Sequence, residues 1–367
     1  MLKKLTMFVL AILLLSNQAF SQETKKTLTE KALTLYQQGK FEKAIEAAEK
    51  VVALEKASQP QDTPSYVNSL INAARMKLGY IIETQNKLGG KSLTAREKIE
   101  LYEENSRTAS DAEAFLRQAL QLNETGGRGQ TAQTADIKSE LAMLVQQYNP
   151  ATKPSIENSR GRIDDAEKLL TESLLLNEQI RGKDDDKTLS VVLQSGNFYL
   201  RYVNFEKALP FYERYIQATE KKGSKNNPEL ANALRSYASI LFVGFQDKES
   251  ADAVKKLEEI TQKKEPQFED FNFQLRSKDA VAYSSKISRI SRTITGSISA
   301  SSPKAVRVRV KVVVDENGKV IEADAGNKDE KINARAEQEV SKWFIRPFSY
   351  NGKTHKMRGF LTYVEVN

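Results

Sequence analysis

Residues 304–325 read KAVRVRVKVVVDENGKVIEADA. Val306, Val308, Val310, Val312 and Val314 recur at every second position, which places all five on one face of a β-strand. Asp315-Glu316-Asn317-Gly318 supplies a turn in which Gly318 can take positive φ, and Lys319 to Glu322 returns as a second strand. Beyond it, Ile332, Ala336, Val340 and Trp343 recur at helical spacing within INARAEQEVSKW. Asn351-Gly352 is a second turn signal, and Met357 to Val366 closes the chain as a strand. The order over 304–367 is β-β-α-β.

Upstream the texture is different. From Thr27 to about Gln262 the chain reads as helical and repetitive, with an aromatic or apolar residue, two polar residues, an alanine and an amphipathic run recurring in series. The unit appears as FEKAIEAAEKVVALEK from Phe41, ASDAEAFLRQALQLNE from Ala109, IDDAEKLLTESLLLNEQ from Ile163, FEKALPFYERYIQATEK from Phe205 and, in weaker form, KESADAVKKLEEITQ from Lys248. Its alanines are Ala44, Ala112, Ala166, Ala208 and Ala251. Stacked units of this kind form an α-solenoid, because no single helix pair buries its apolar face alone. The fold class is therefore α+β multidomain, an N-terminal α-solenoid followed by a small β-β-α-β domain.

Gly196, Tyr199, Phe205 and Tyr212 around Ala208, and Ala32, Leu35, Gly39, Phe41 and Ala48 around Ala44, resemble the tetratricopeptide repeat. The DDDKTL to NNPELANAL spacing is similar to the longer repeats of the kinesin-light-chain type. The resemblance implies that small residues let paired helices approach, that aromatics fill the angle between them, and that a concave groove binds peptides or protein segments. Candidate groove residues on the first helix of each pair are Asn68, Asn72, Arg75, Gln194, Asn197, Arg201, Asn232 and Arg235, amide and guanidinium groups suited to backbone and carboxylate recognition.

The tail, with Arg346-Pro347-Phe348 at the helix exit and Asn351-Gly352 before the last strand, resembles the C-terminal domain of the TonB family. That resemblance implies one helix on a three-stranded antiparallel sheet whose last strand pairs with an extended segment of an outer-membrane receptor, a protein-binding role in the cell envelope. Carried onto this chain, the docking edge is Lys356 to Val366. Arg358, Phe360, Thr362 and Val364 form one side-chain row, and Gly359, Leu361, Tyr363 and Glu365 the other. Trp343 and Phe348 are expected to pack beneath the sheet, with Pro347 stopping the helix.

The start of the chain agrees with an envelope location. Lys3-Lys4 precede a short apolar run from Leu5 to Leu15, and Ala19-Phe20-Ser21 reads as a signal-peptide cleavage site. A run of eleven residues falls short of the roughly twenty that span a bilayer, so the mature product is expected to be periplasmic with no transmembrane span if the signal is cleaved. A retained segment would act as an anchor.

The chain contains no cysteine and a single histidine, His355, which excludes disulfides, thiolate nucleophiles and His/Cys zinc sites. Gly89-Gly90-Lys91-Ser92 lacks the first glycine of a phosphate loop, since Gln85 stands there. Asp315 to Gly318 has its glycine two positions too early for a calcium loop. Acidic pairs such as Asp164-Asp165 lie at helix starts, where they suit the macrodipole. No catalytic, cofactor-binding or metal residue is assigned, and the chain reads as a non-enzyme.

Of the net charge of +8, nine basic residues between Arg276 and Lys311 face one acidic residue, Asp279. In an exported protein such a run suits acidic proteins or anionic envelope polymers rather than nucleic acid. Gly126 to Thr131 reads as a mobile loop, and Pro266 is expected to end the last helix. Phe268, Phe271 and Phe273 are candidates to dock on the solenoid, followed by a tether or an extra edge strand. The plan is a signal peptide over 1–21, helical repeats over 22–262, a linker over 263–303 and a TonB-like domain over 304–367. Function reads as an exported adaptor that uses groove and strand edge. A TonB-type energy transducer for outer-membrane transport, which would need the N-terminal segment as an anchor, and an assembly factor binding anionic polymers through Arg276 to Lys311 are the alternatives.

Overall fold

The computed structural model describes residues 24–58, 64–88, 94–147, 156–202, 204–223, 227–244, 246–262, 272–274, 305–326 and 330–366. The chain divides into two compact units, Met1–Val191 and Val192–Asn367. Ten helices precede the sheet among the described residues. They are α1 (24–37), α2 (Phe41–Ala57), α3 (Pro64–Leu88), α4 (Ala95–Thr125), α5 (Ala132–Gln147), α6 (Ile156–Arg181), α7 (Asp186–Arg201), α8 (Phe205–Lys221), α9 (Pro228–Val243) and α10 (Asp247–Thr261).

Local chemistry sets many of the boundaries. Thr94 and Glu97 form a capping box at the start of α4, satisfying amides that have no partner within the helix. Asn204 and Asn227 cap α8 and α9 through their side-chain oxygens, and Pro228 opens α9 where its missing N–H costs nothing. The last helix ends at Thr261 because Gln262 turns left-handed at φ 54°. Pro266, expected to end this helix, lies outside the described residues.

In the first unit, Tyr66 meets Gln118, Lys77 meets Asp111 and Tyr80 meets Glu104. As α3 advances α4 recedes, so the pair is antiparallel. Ala44, Ala112 and Ala166 are fully buried on α2, α4 and α6. Gly79 of α3 lies so close to Tyr36 of α1 that an added Cβ would stand 2.3 Å from the ring. The turn after α4 is fastened rather than loose: Arg128 donates to the Asn123 side chain and the Leu122 carbonyl, and Thr131 and Thr134 donate to the Arg128 carbonyl.

The second unit repeats this packing. Tyr199 stacks on Phe211 at 5.6 Å, and an added Cβ at Gly196 would meet the Tyr212 ring at 3.3 Å. Ala208 of α8 is fully buried, whereas on α10 the buried alanine is Ala253. Ala251 is only half-buried, which explains why the fifth copy looks degenerate in sequence.

The same unit holds a sheet of four strands in the order β1-β6-β2-β3 and a separate β4-β5 hairpin. The strands are β1 (Asn272–Gln274), β2 (Ala305–Val314), β3 (Val320–Ala325), β4 (Phe348–Tyr350), β5 (Lys353–His355) and β6 (Met357–Val366). The helix between β3 and β4 is α11, Glu330–Val340. Strands β2 and β6 pair antiparallel from Ala305↔Val366 to Val314↔Met357, and β2 pairs antiparallel with β3. The period of two puts Val308, Val310, Val312, Val314, Met357 and Leu361 on one face, all buried, and α11 covers it with Ile332, Ala336 and Val340.

Both turn signals hold, for stated reasons. Gly318 has φ 88° and hydrogen-bonds Ile345 through its carbonyl, while Asp315 accepts the amides of Asn317 and Lys319. Asn351 and Gly352 have φ 50° and 73°, the paired left-handed residues of a two-residue hairpin turn. Trp343 differs from expectation: it lies beyond α11 in the following turn, with its amide bonded to Val340. Pro347 does not stop the helix, which ended at Val340.

Candidate docking edge

The sheet presents two outer strands, and they are built differently. At β3 a register shift between Val313 and Val314 interrupts the ladder. The Glu337 carboxylate accepts the Ala325 amide, and residues 343–345 bond to 318–320 at the strand's start. A bulge and capped edge groups of this kind blunt an edge against further pairing.

The other side is β6, expected to be a free edge. Over Arg358, Gly359 and Phe360 it is not free: Asn272, Phe273 and Gln274 pair with these residues in parallel. This β1 segment lies against α9, the helix that also receives the β4-β5 hairpin. Docking the sheet on α9 brings β6 beside a segment already seated there. Part of the aromatic run anticipated to dock on the helices therefore does so as an added strand. From Leu361 to Val366, β6 has β2 as its one strand neighbour among the described residues.

The proposed reading row is only partly available. Leu361 is fully buried in the core and Gly359 is buried with it, so Leu361 cannot read a partner's side chain. Tyr363 shares that row and is half-buried. Arg358 and Phe360 are half-buried on the opposite face, and Thr362 and Val364 stand in register with Arg309 and Arg307. The Arg309 guanidinium lies over the Phe360 ring at 3.9 Å, a cation–π contact. Burial, and after it the positive charge of Arg201, hold Arg309 below the ordinary guanidinium pKa. Arg201, proposed as a groove residue, is thus electrostatically coupled to the outer face of the sheet.

Five of the remaining groove candidates, Asn68, Arg75, Asn197, Asn232 and Arg235, are engaged with the protein itself. Asn197 is exposed but accepts the Tyr212 hydroxyl at 2.6 Å, and Asn232 accepts from Arg235 at 2.8 Å. In the first unit Gln133 donates to Asn68, and Arg75 makes a forked bond to Glu140. These bonds join α3 to α5 with equal offsets, so the first helices of successive pairs run parallel. The basic run from Arg276 to Lys311 lies mostly outside the described residues; Lys311 faces Asp324 across the strands at 3.8 Å.

The Arg346-Pro347-Phe348 motif has a role that sequence reasoning missed. Phe348, expected beneath the sheet, belongs to the separate hairpin and is buried there. It sits in β4 with its ring edge-on to Phe242 of α9. Arg346 pairs with Asp247, donates to the Phe242 carbonyl and lies over the Phe242 ring at 4.1 Å. Tyr350 donates to Glu258 of α10 at 2.7 Å. The sheet and the last helix pair therefore share one compact unit, and the sheet is not a body apart beyond residue 304. His355 stays within its hairpin, with Nε2 3.3 Å from the Tyr350 carbonyl oxygen. Among the described residues no three His, Asp or Glu side chains converge as a metal site would.

The folded chain is thus a helical-repeat protein with a strand-bearing tail docked on its last pair. No protein-family model matches it, and no curated protein matches it. Among solved structures it is similar to a Podosopora anserina protein described as a kinesin light chain with nearly identical TPR-like repeats. The match has 16% identity and a TM-score of 0.48, over 66% of this chain and 97% of that one. A single-substitution form of that same protein gives 16% and 0.48 over 65% and 94%. BtubC (BKLC) from P. vanneervenii gives 16% and 0.49 over 66% and 82%. The structural neighbours are TPR-like repeat proteins, and the repeat reading of this chain rests on the helix packing described above.

Proposed function

We propose that this chain is a non-enzymatic, exported protein-binding adaptor of the cell envelope, with a tail of the TonB type that captures extended segments by strand addition. The observation that carries this reading is the β6 edge, which already accepts a parallel strand at Arg358–Phe360 while β3 is blunted. In strand addition, backbone hydrogen bonds give affinity and alternate side chains give selectivity. Stacked helix pairs add an extended surface of the kind repeat proteins use for protein partners. Export rests on residues Met1 to Ser21, which lie outside the described residues.

A photo-crosslinking residue at Thr362, compared with one at Glu322 on the blunted side, tests the docking edge in cells. Adducts from Thr362 and none from Glu322 are expected; adducts from Glu322 alone overturn the reading. For export, sequencing of the mature N-terminus should begin at Gln22, and an intact Met1-Leu2-Lys3 start would contradict a cleaved signal.

A further inference from the structure

Strand β6 runs ten residues from Met357 to Val366, yet among the described residues its outer side is paired over three. A three-residue strand in parallel pairing is a weak occupant, because parallel ladders are the less stable kind and short edge strands contribute few bonds. It is nevertheless held in place, since β1 also lies against α9. The register is definite: Asn272↔Arg358, Phe273↔Gly359 and Gln274↔Phe360.

We propose that Asn272–Gln274 is a built-in occupant of the docking edge, which an incoming extended segment must displace. The inference rests on the strand-accepting reading of β6 and adds its regulation. A longer segment pairing from Arg358 toward Val366 forms more backbone bonds than β1 and replaces it. Displacement frees the part of α9 that β1 covers, so strand capture at the sheet is sensed at the last helix pair. Apparent affinity for any added strand is reduced by the fraction of molecules in which β1 is seated.

The test uses the full chain and a fluorescent synthetic peptide of residues 267–277, QFEDFNFQLRS, as the added strand. In the double variant Asn272→Pro/Phe273→Pro, one of two adjacent amides that alternate in direction is always a ladder donor, so pairing is broken in either phase. The variant should bind the peptide about tenfold or more tighter than the unmodified chain. Should that variant fail to fold, Asn272→Cys/Arg358→Cys decides, since the chain has no cysteine of its own. Oxidation should abolish peptide binding and reduction restore it. Equal binding by the unmodified chain and the double-proline variant, or by oxidised and reduced forms, overturns the inference while leaving β6 as a strand-accepting edge. Absence of binding in every form, including the open variant, overturns the strand-accepting reading as well.

Discussion

Phe348 meets Phe242 edge-on, with ring centroids 5.5 Å apart and planes at 78°. The first ring belongs to the β4-β5 hairpin and the second to α9, so this contact fastens the tail to the helical repeat. Phe348 is 1% exposed and Phe242 2%. Truncation of Phe348 to alanine removes a fully buried aromatic, a change that costs about 3–5 kcal/mol. Denaturant unfolding of the full chain should show that loss, and Phe348→Leu should recover part of it.

Arg346 makes three contacts that lysine cannot make together: the Asp247 carboxylate, the Phe242 carbonyl and the face of the Phe242 ring. Arg346→Lys should therefore destabilise the second unit by about 1–2 kcal/mol. Asp247 is well exposed, so Asp247→Asn should cost under about 1 kcal/mol. Thermal unfolding of the two single variants orders them; equal losses would mean that the ion pair alone matters.

Two glycines at positive φ should respond differently to alanine. Gly352 has open space around its missing Cβ, whereas a Cβ on Gly318 would stand 2.3 Å from the Ile345 carbonyl oxygen. Gly352→Ala bears the backbone cost alone, about 1–2 kcal/mol. Gly318→Ala adds a backbone clash to a similar cost and should be the more destabilising of the two, as read from denaturant midpoints.

Burial, reinforced by the bond to Glu258, pushes the Tyr350 hydroxyl up to about 12. The unfolded phenol titrates near 10. Stability from this group is therefore fully present below about pH 10 and is lost as pH rises toward 12, because the unfolded chain releases its proton first. Tyr350→Phe should flatten the alkaline fall in stability. Tyr237, raised to about 12 by burial and by its bond to Glu213, accounts for a parallel share, so the double Phe variant should be flatter still.

The elements that sequence displays well are those fixed by local periodicity. Alternating valines mark β2, Asn351-Gly352 marks the β4-β5 turn, and buried alanines at recurring positions mark α2, α4, α6 and α8. Gly196 against Tyr212 shows the repeat's small-residue rule at work. What escaped depends on residues far apart in the chain. Arg346 and Phe348 find Asp247 and Phe242 about a hundred positions earlier, and nothing in either stretch signals the other. The described part of strand β1 is three residues long, too short to carry a period, and its pairing exists because α9 and β6 come together around it. The same convergence turned an expected free edge into a partly occupied one.

The strand-accepting edge is tested most directly by hydrogen exchange of the full chain with saturating QFEDFNFQLRS peptide, using the open double-proline variant. Slowed exchange confined to Arg358–Val366, with Val320–Ala325 unchanged, is the expected result. Slowing along Val320–Ala325, or none anywhere in the sheet, would contradict β6 as the docking edge.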